Sequence, residues 1–150
     1  MRRLKSAKGS EERAPMAIHY LLDTNICIYI VKHHPREVRH RLEGLALTSV
    51  AMSVVTWGEL RYGAEKSRFK DQTHAVLEQL RGLIQVVDID EQVARHYAQI
   101  RASLELQGQI IGNNDLWIAA HARTHAWTLV TNNIREFGRV PGLAVENWVG

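Results

Sequence analysis

The chain has a single cysteine, Cys27, in 150 residues. It can close no internal disulfide, which fits a reducing, cytoplasmic setting. No apolar run approaches the ~20 residues needed to cross a bilayer, so a membrane span is not expected. Residues 1–15 lack the apolar stretch of a secretory signal. Nor is the body of the chain charged with one sign. The formal net charge of +3 sits in residues 1–15, where Arg2, Arg3, Lys5, Lys8 and Arg13 face only Glu11 and Glu12. The remainder carries equal numbers of basic and acidic side chains. Any site for a polyanion in the body must therefore come from local clustering or from a metal.

What is present suits an ordinary globule. Hydrophobic residues make up 45% and charged residues 23% of the chain, which excludes a wholly disordered reading. The length fits one domain able to bury its own core. Residues 1–15 read as a disordered basic tail or start-site extension, with Met16 a candidate native start, and 16–150 as the folded domain. Within it, Ala17–Leu22 reads as a buried strand ending in Asp23, followed by a helix through Cys27 and Tyr29. A helix after Pro35 carries Val38, Leu42 and Leu45. A second strand is expected at Leu47–Met52, with a helix from Ser53 holding Leu60 and Tyr62. Further helices are expected at Gln72–Leu83, Glu91–Leu106 and Asp115–Ala122. Further strands are expected at Ile84–Val87, Trp127–Val130 and Leu143–Val145. Alternation of this kind predicts an α/β fold with a mainly parallel sheet, helices on both faces, and a site beyond the carboxyl ends of the strands.

Acids cluster at the element boundaries. Asp23 ends the first strand, Glu59 lies within the helix after the second, and Asp115 opens the helix before the fourth. Asn133 and Glu136 follow that fourth strand. Carboxylates brought together repel one another, and a hard dication such as Mg²⁺ or Mn²⁺ resolves the conflict. It would also serve phosphodiester chemistry. Each acid has a plainer reading. Asp23 can cap a helix, Thr56 and Glu59 match a capping box, Asp115 can favour a helix dipole, and Glu136 can be a solvated surface acid.

Four blocks add a resemblance: LLDTNICIYI (21–30), SVVTWGELRYGAEKS (53–67), IGNNDLWIAAHA (111–122) and LVTNNIREFGRVPGLAVENW (129–148). In this order they strongly resemble PIN-domain toxins of the VapC type. The resemblance implies a three-layer α/β/α sandwich with about five strands. It also implies a Mg²⁺-dependent endoribonuclease (Mn²⁺ substituting) that is the toxin of a type II toxin–antitoxin pair. The catalytic positions fall on Asp23, Glu59, Asp115 and Asn133, with Glu136 contributing; Asp23, Glu59 and Asp115 are the implied metal ligands. Many members have Asp where Asn133 stands, and an amide carries no charge and is no base. Thr131, in the same block, is a candidate for positioning a water or phosphate. The implied partners are an RNA substrate, in this family often transfer RNA, a VapB-type antitoxin and a second copy of the chain. DNA would be bound only through the antitoxin.

Cations for RNA are sought at Arg61, Lys66, Arg68 and Lys70, with Arg123 and Arg135 as similar candidates. Trp57 and Tyr62 flank Glu59, and either could line an RNA groove. His121 and His125 stand four apart, but Ala122 occupies the place where a zincin motif needs Glu. A phosphatase using Asp23 as nucleophile would need a second Asp at position 25, which is Asn. The rival from another class is a non-catalytic RNA-binding PIN module.

Overall fold

The computed structural model describes residues 17–150, so the expected tail lies outside the described residues. The elements are β1 (Tyr20–Leu22), α1 (Thr24–Lys32), α2 (Arg36–Glu43), β2 (Val50–Ser53), α3 (Val54–Glu65), α4 (Lys70–Leu83) and β3 (Gln85–Val87). They continue as α5 (Glu91–Leu106), α6 (Asn113–Thr124), β4 (Thr128–Val130), α7 (Ile134–Phe137) and β5 (Val145–Glu146). The five strands form one sheet in the order β3-β2-β1-β4-β5, and every pairing is parallel.

Strand side chains alternate between two cores, as a period of two demands. Leu22, Val50, Met52 and Val130 pack with α1 to α4, whereas Leu21, Ala51 and Leu129 pack with α5, α6 and Phe137 of α7. The result is the expected three-layer α/β/α sandwich. The chain builds outward from β1 to β3, then crosses back to place β4 on the other side of β1. That reversal opens a crevice at the carboxyl ends of β1 and β4, where Asp23 and Thr131 emerge.

Several boundaries differ from expectation. Residues Leu47–Ser49 form a 3-10 turn, not a strand, with the Ser49 hydroxyl donating to the Ala46 carbonyl at 2.6 Å. Ala126 takes a left-handed conformation (φ 57°), which delays β4 to Thr128. β5 lies at Val145–Glu146, α6 starts at Asn113, and the short α7 falls where the sequence pattern predicts no helix.

Candidate active site

Asp23 sits where β1 becomes α1. Its backbone N–H extends the β1–β4 ladder to the Val130 carbonyl at 2.9 Å. One carboxylate oxygen accepts the Thr24 N–H and caps α1, so the plainer reading is true as well. The other accepts the Thr131 hydroxyl at 2.8 Å. The side chain is buried, and burial pushes its pKa up, aided by the charge on Glu59. The bonds from Thr131 and Thr24 offset this only in part.

Glu59 is carried by α3. Ser53 caps that helix through its bond from the Val55 N–H, and Thr56 lies buried inside it, so the capping box between Thr56 and Glu59 does not form. Glu59 instead accepts the Thr24 hydroxyl from α1 on one oxygen and the Asn114 amide from α6 on the other, the latter at 3.3 Å. Three helices thus hold this one carboxylate.

Asp115 is the third residue of α6, where the helix dipole favours an anion. Its pKa still rises to about 6, first through burial and then through the charges of Asp23, Glu59 and Glu136. The carboxylate accepts no hydrogen bond among the described residues. Gly112 lies against it: a Cβ there would come within 3.5 Å of Asp115 Oδ2. An open cleft of about 360 Å³ is lined by Glu59, Gly112, Asn113, Asn114 and Asp115.

Beyond β4, the Asn133 side-chain oxygen caps α7 by accepting the Glu136 N–H, and its amide donates back to Glu136 at 3.3 Å. Asn133 is therefore committed to shaping the turn, and the charge that reaches Asp115 from this segment belongs to Glu136. Thr131 is likewise not free for phosphate. It is fully buried, donating to Asp23 and accepting the Asn133 N–H at 2.9 Å, so it positions an acid rather than RNA. Thr24 and Asn114 are the functional neighbours that sequence reasoning missed. Their only signal was adjacency to Asp23 and Asp115.

The cation candidates divide. Arg61 is bound by Glu78 and by His74 Nδ1 and lies over Trp57, which is itself packed against the core, so neither is free to meet RNA. Arg123 is spent on His96, Gln99 and the Pro141 carbonyl, and Lys70 on Glu65. Lys66 and Arg68 have no acidic partner among the described residues. His121 is buried against the Ser53 hydroxyl, and burial, with help from His125, lowers its pKa to about 4. His125 stacks on Trp127, so this pair is structural. Cys27 is fully buried and its thiol is pushed up, which leaves it inert.

None of Asp23, Glu59, Asp115 and Glu136 forms an ion pair with a basic side chain among the described residues. The partners of Asp23, Glu59 and Glu136 are hydroxyls, amides and a backbone N–H, and Asp115 has none among the described residues. Such a set of hard oxygens carrying uncompensated charge fits Mg²⁺ or Mn²⁺. No three acids, histidines or cysteines among the described residues form a ready-made cage. Mg²⁺, however, commonly takes only one or two carboxylates together with waters and substrate phosphate.

The PIN domain family model matches residues 20–143. The chain belongs to the PIN-domain family. Among PIN proteins it groups with the VapC ribonucleases. It is 44% identical to Ribonuclease VapC2 of Rickettsia felis over 130 residues, covering 86% of this chain and 97% of that one. It is 46% identical to the tRNA(fMet)-specific endonuclease VapC of Shigella flexneri over 131 residues, covering 87% and 98%. Among solved structures, VapBC from Salmonella typhimurium, bound to DNA, superimposes with a TM-score of 0.83 at 41% identity. That match covers 88% of this chain and 99% of that one. The PIN fold expected from the four sequence blocks is thus the fold observed.

Proposed function

We propose that this PIN protein is the toxin of a toxin–antitoxin pair: a divalent-metal-dependent endoribonuclease, neutralised by a VapB-type antitoxin. The observation that carries the reading is Asp115. A carboxylate raised to about 6 by burial and then by the charges of three nearby acids, with no basic side chain paired to it among the described residues, is a place suited to a cation. Asp23, Glu59 and Asp115 would hold the ion, with Glu136 adding charge. When bound, Mg²⁺ would lower the pKa of a water and neutralise charge on the phosphodiester. The chain's own residues do the rest. Thr131 and the Thr24 N–H lock the Asp23 carboxylate. Thr24 and Asn114 hold Glu59 at the cleft. Asn133 sets the turn that presents Glu136. Structured RNA is the substrate class, with transfer RNA the first to test, since relatives such as that of Shigella flexneri are named for it. The relatives solved as VapBC complexes support an antitoxin partner, with DNA reached through it. A homodimer and a cytoplasmic location complete the reading. No helix among the described residues is long and apolar enough to cross a membrane.

The test is cleavage of a transfer RNA pool by the purified chain in Mg²⁺ and in EDTA, beside Asp23→Asn. Cleavage in Mg²⁺ alone, lost in the variant, is expected. RNA bound but never cut would favour the non-catalytic module, and cutting by folded Asp23→Asn would refute the site.

A further inference from the structure

The corner between α3 and α4 is rich in basic side chains. Residues 61–70 hold Arg61, Lys66, Arg68 and Lys70 against Glu65 alone. The structure sorts these cations into two kinds. Arg61 is tied to Glu78 and His74, and Lys70 is tied to Glu65 at 2.9 Å. Lys66 and Arg68 instead stand over aromatic rings, Lys66 Nζ 5.0 Å from the Tyr62 centroid and the Arg68 guanidinium 5.9 Å from that of Phe69. Both rings face solvent, at 64% and 62% exposure. Their neighbours make the corner rigid. Ser67 Oγ accepts the Phe69 N–H and the Thr73 hydroxyl, each at 3.1 Å, while Glu65 also binds His74.

Helical geometry ties this corner to the cleft. Tyr62 lies three residues after Glu59 and Lys66 seven after it, so all three share one face of α3. A strand whose phosphate sits at the Glu59 end can run along that face. An exposed ring with an unpaired cation beside it meets the two parts of a nucleotide at once: the base stacks, and the phosphate finds a charge.

We infer that Tyr62 with Lys66, and Phe69 with Arg68, form a stacking platform for an unpaired stretch of RNA next to the cleavage site. This rests on the ribonuclease reading and adds to it the side chains that hold unpaired bases beside the cleft, by stacking. Trp57, packed against the core beneath Arg61 and Arg81, takes no part.

The test measures binding, separately from cleavage. The full chain carrying Asp115→Asn is titrated into a short, unstructured, 5′-labelled oligoribonucleotide and followed by fluorescence anisotropy. Adding Tyr62→Ala weakens binding about tenfold, and Tyr62→Phe restores it. Lys66→Gln lowers the slope of log affinity against log salt by about 0.7. Circular dichroism confirms that each variant is folded. If Tyr62→Ala binds like its parent, or changes only the molar mass seen by light scattering, the platform is overturned. In the latter case the rings belong to an interface between copies. Either result leaves the ribonuclease reading standing if the unmodified chain still cuts RNA in Mg²⁺. Failure of the unmodified chain to cut refutes that reading, while the binding contrast still decides the platform.

Discussion

Replacing Asp115 by Asn should make the metal-free protein more stable while removing its activity. The carboxylate has a pKa of about 6 in the fold against 3.8 for an unperturbed aspartate. At neutral pH it is ionised in both states, and the fold disfavours the charge. The difference corresponds to about 3 kcal/mol at most. The group is only half-buried, so solvent screening reduces this, and the α6 dipole returns ~0.5 kcal/mol to the charged form. A net gain of about 1–2 kcal/mol remains for Asp115→Asn, or a Tm higher by about 3–6 °C. The sign follows from linkage. A carboxyl whose folded pKa is raised destabilises above that pKa, and the penalty fades as pH falls from 6 towards 3.8, because the folded state takes up its proton first. Thermal unfolding in EDTA at pH 7.5 and at pH 4 should therefore show the advantage at the first and lose it at the second. In excess Mg²⁺ the wild type should recover the difference, since an ion bound at 100 times its Kd adds about 2.7 kcal/mol. A variant no more stable than wild type in EDTA at pH 7.5, or equally advantaged at pH 4, would refute the idea that burial and the neighbouring acids disfavour the charge on Asp115.

Thr131→Val keeps the shape but strips Asp23 of the bond that lowers its pKa most and leaves the Asn133 N–H without a partner. It should cost about 1–3 kcal/mol by urea denaturation and move the acid limb of the cleavage pH profile upward; an unmoved limb would show that Thr131 does not tune Asp23. Gly138→Ala should also be costly, because a Cβ there would lie 2.7 Å from the Ile134 carbonyl oxygen, which is backbone. Overpacking of this kind costs about 1–3 kcal/mol, and the displaced α7 should slow cleavage through Glu136. Unchanged stability and rate would mean the turn yields freely.

Much of this architecture could be read from the chain because burial writes itself into the residues. β1 and β4 are short apolar runs, each ending in a polar residue, and α5 was legible from Glu91 to Leu106 because Val93, Ile100 and Leu104 are spaced for one face. The acids stood out for the same reason: a polar residue directly after a buried strand faces the rim. What depends on packing was not legible. The bond from Thr24 to Glu59 joins residues 35 apart and exists only because α1 and α3 sit side by side. The four-residue α7 is too short to show periodicity, so nothing in the sequence marks the Asn133 side chain as its cap. Thr131 is a candidate for positioning a water or phosphate on its sequence block alone, and that its hydroxyl is buried against Asp23 depends on how tightly β4 packs beside β1.

The arrangement has a further consequence for how the site could be silenced. The charges of Asp23, Glu59 and Glu136 all bear on Asp115, and the fold carries that repulsion without relief from any basic side chain among the described residues. A lysine placed among them should relieve it from within. Asn114 is the position for this: exposed, lining the cleft beside Asp115, and already donating to Glu59 at 3.3 Å. Asn114→Lys would bring an ammonium to carboxylates that at present share no cation, lowering the Asp115 pKa from about 6 and raising metal-free stability by about 1 kcal/mol. The same ammonium would compete with Mg²⁺, so cleavage should fall steeply and recover in part as Mg²⁺ is raised. Tm in EDTA and cleavage rate against Mg²⁺ concentration read the two effects on one protein. An Asn114→Lys protein that is no more stable in EDTA and cleaves normally at low Mg²⁺ would mean that the acids neither strain one another nor meet at a shared cation.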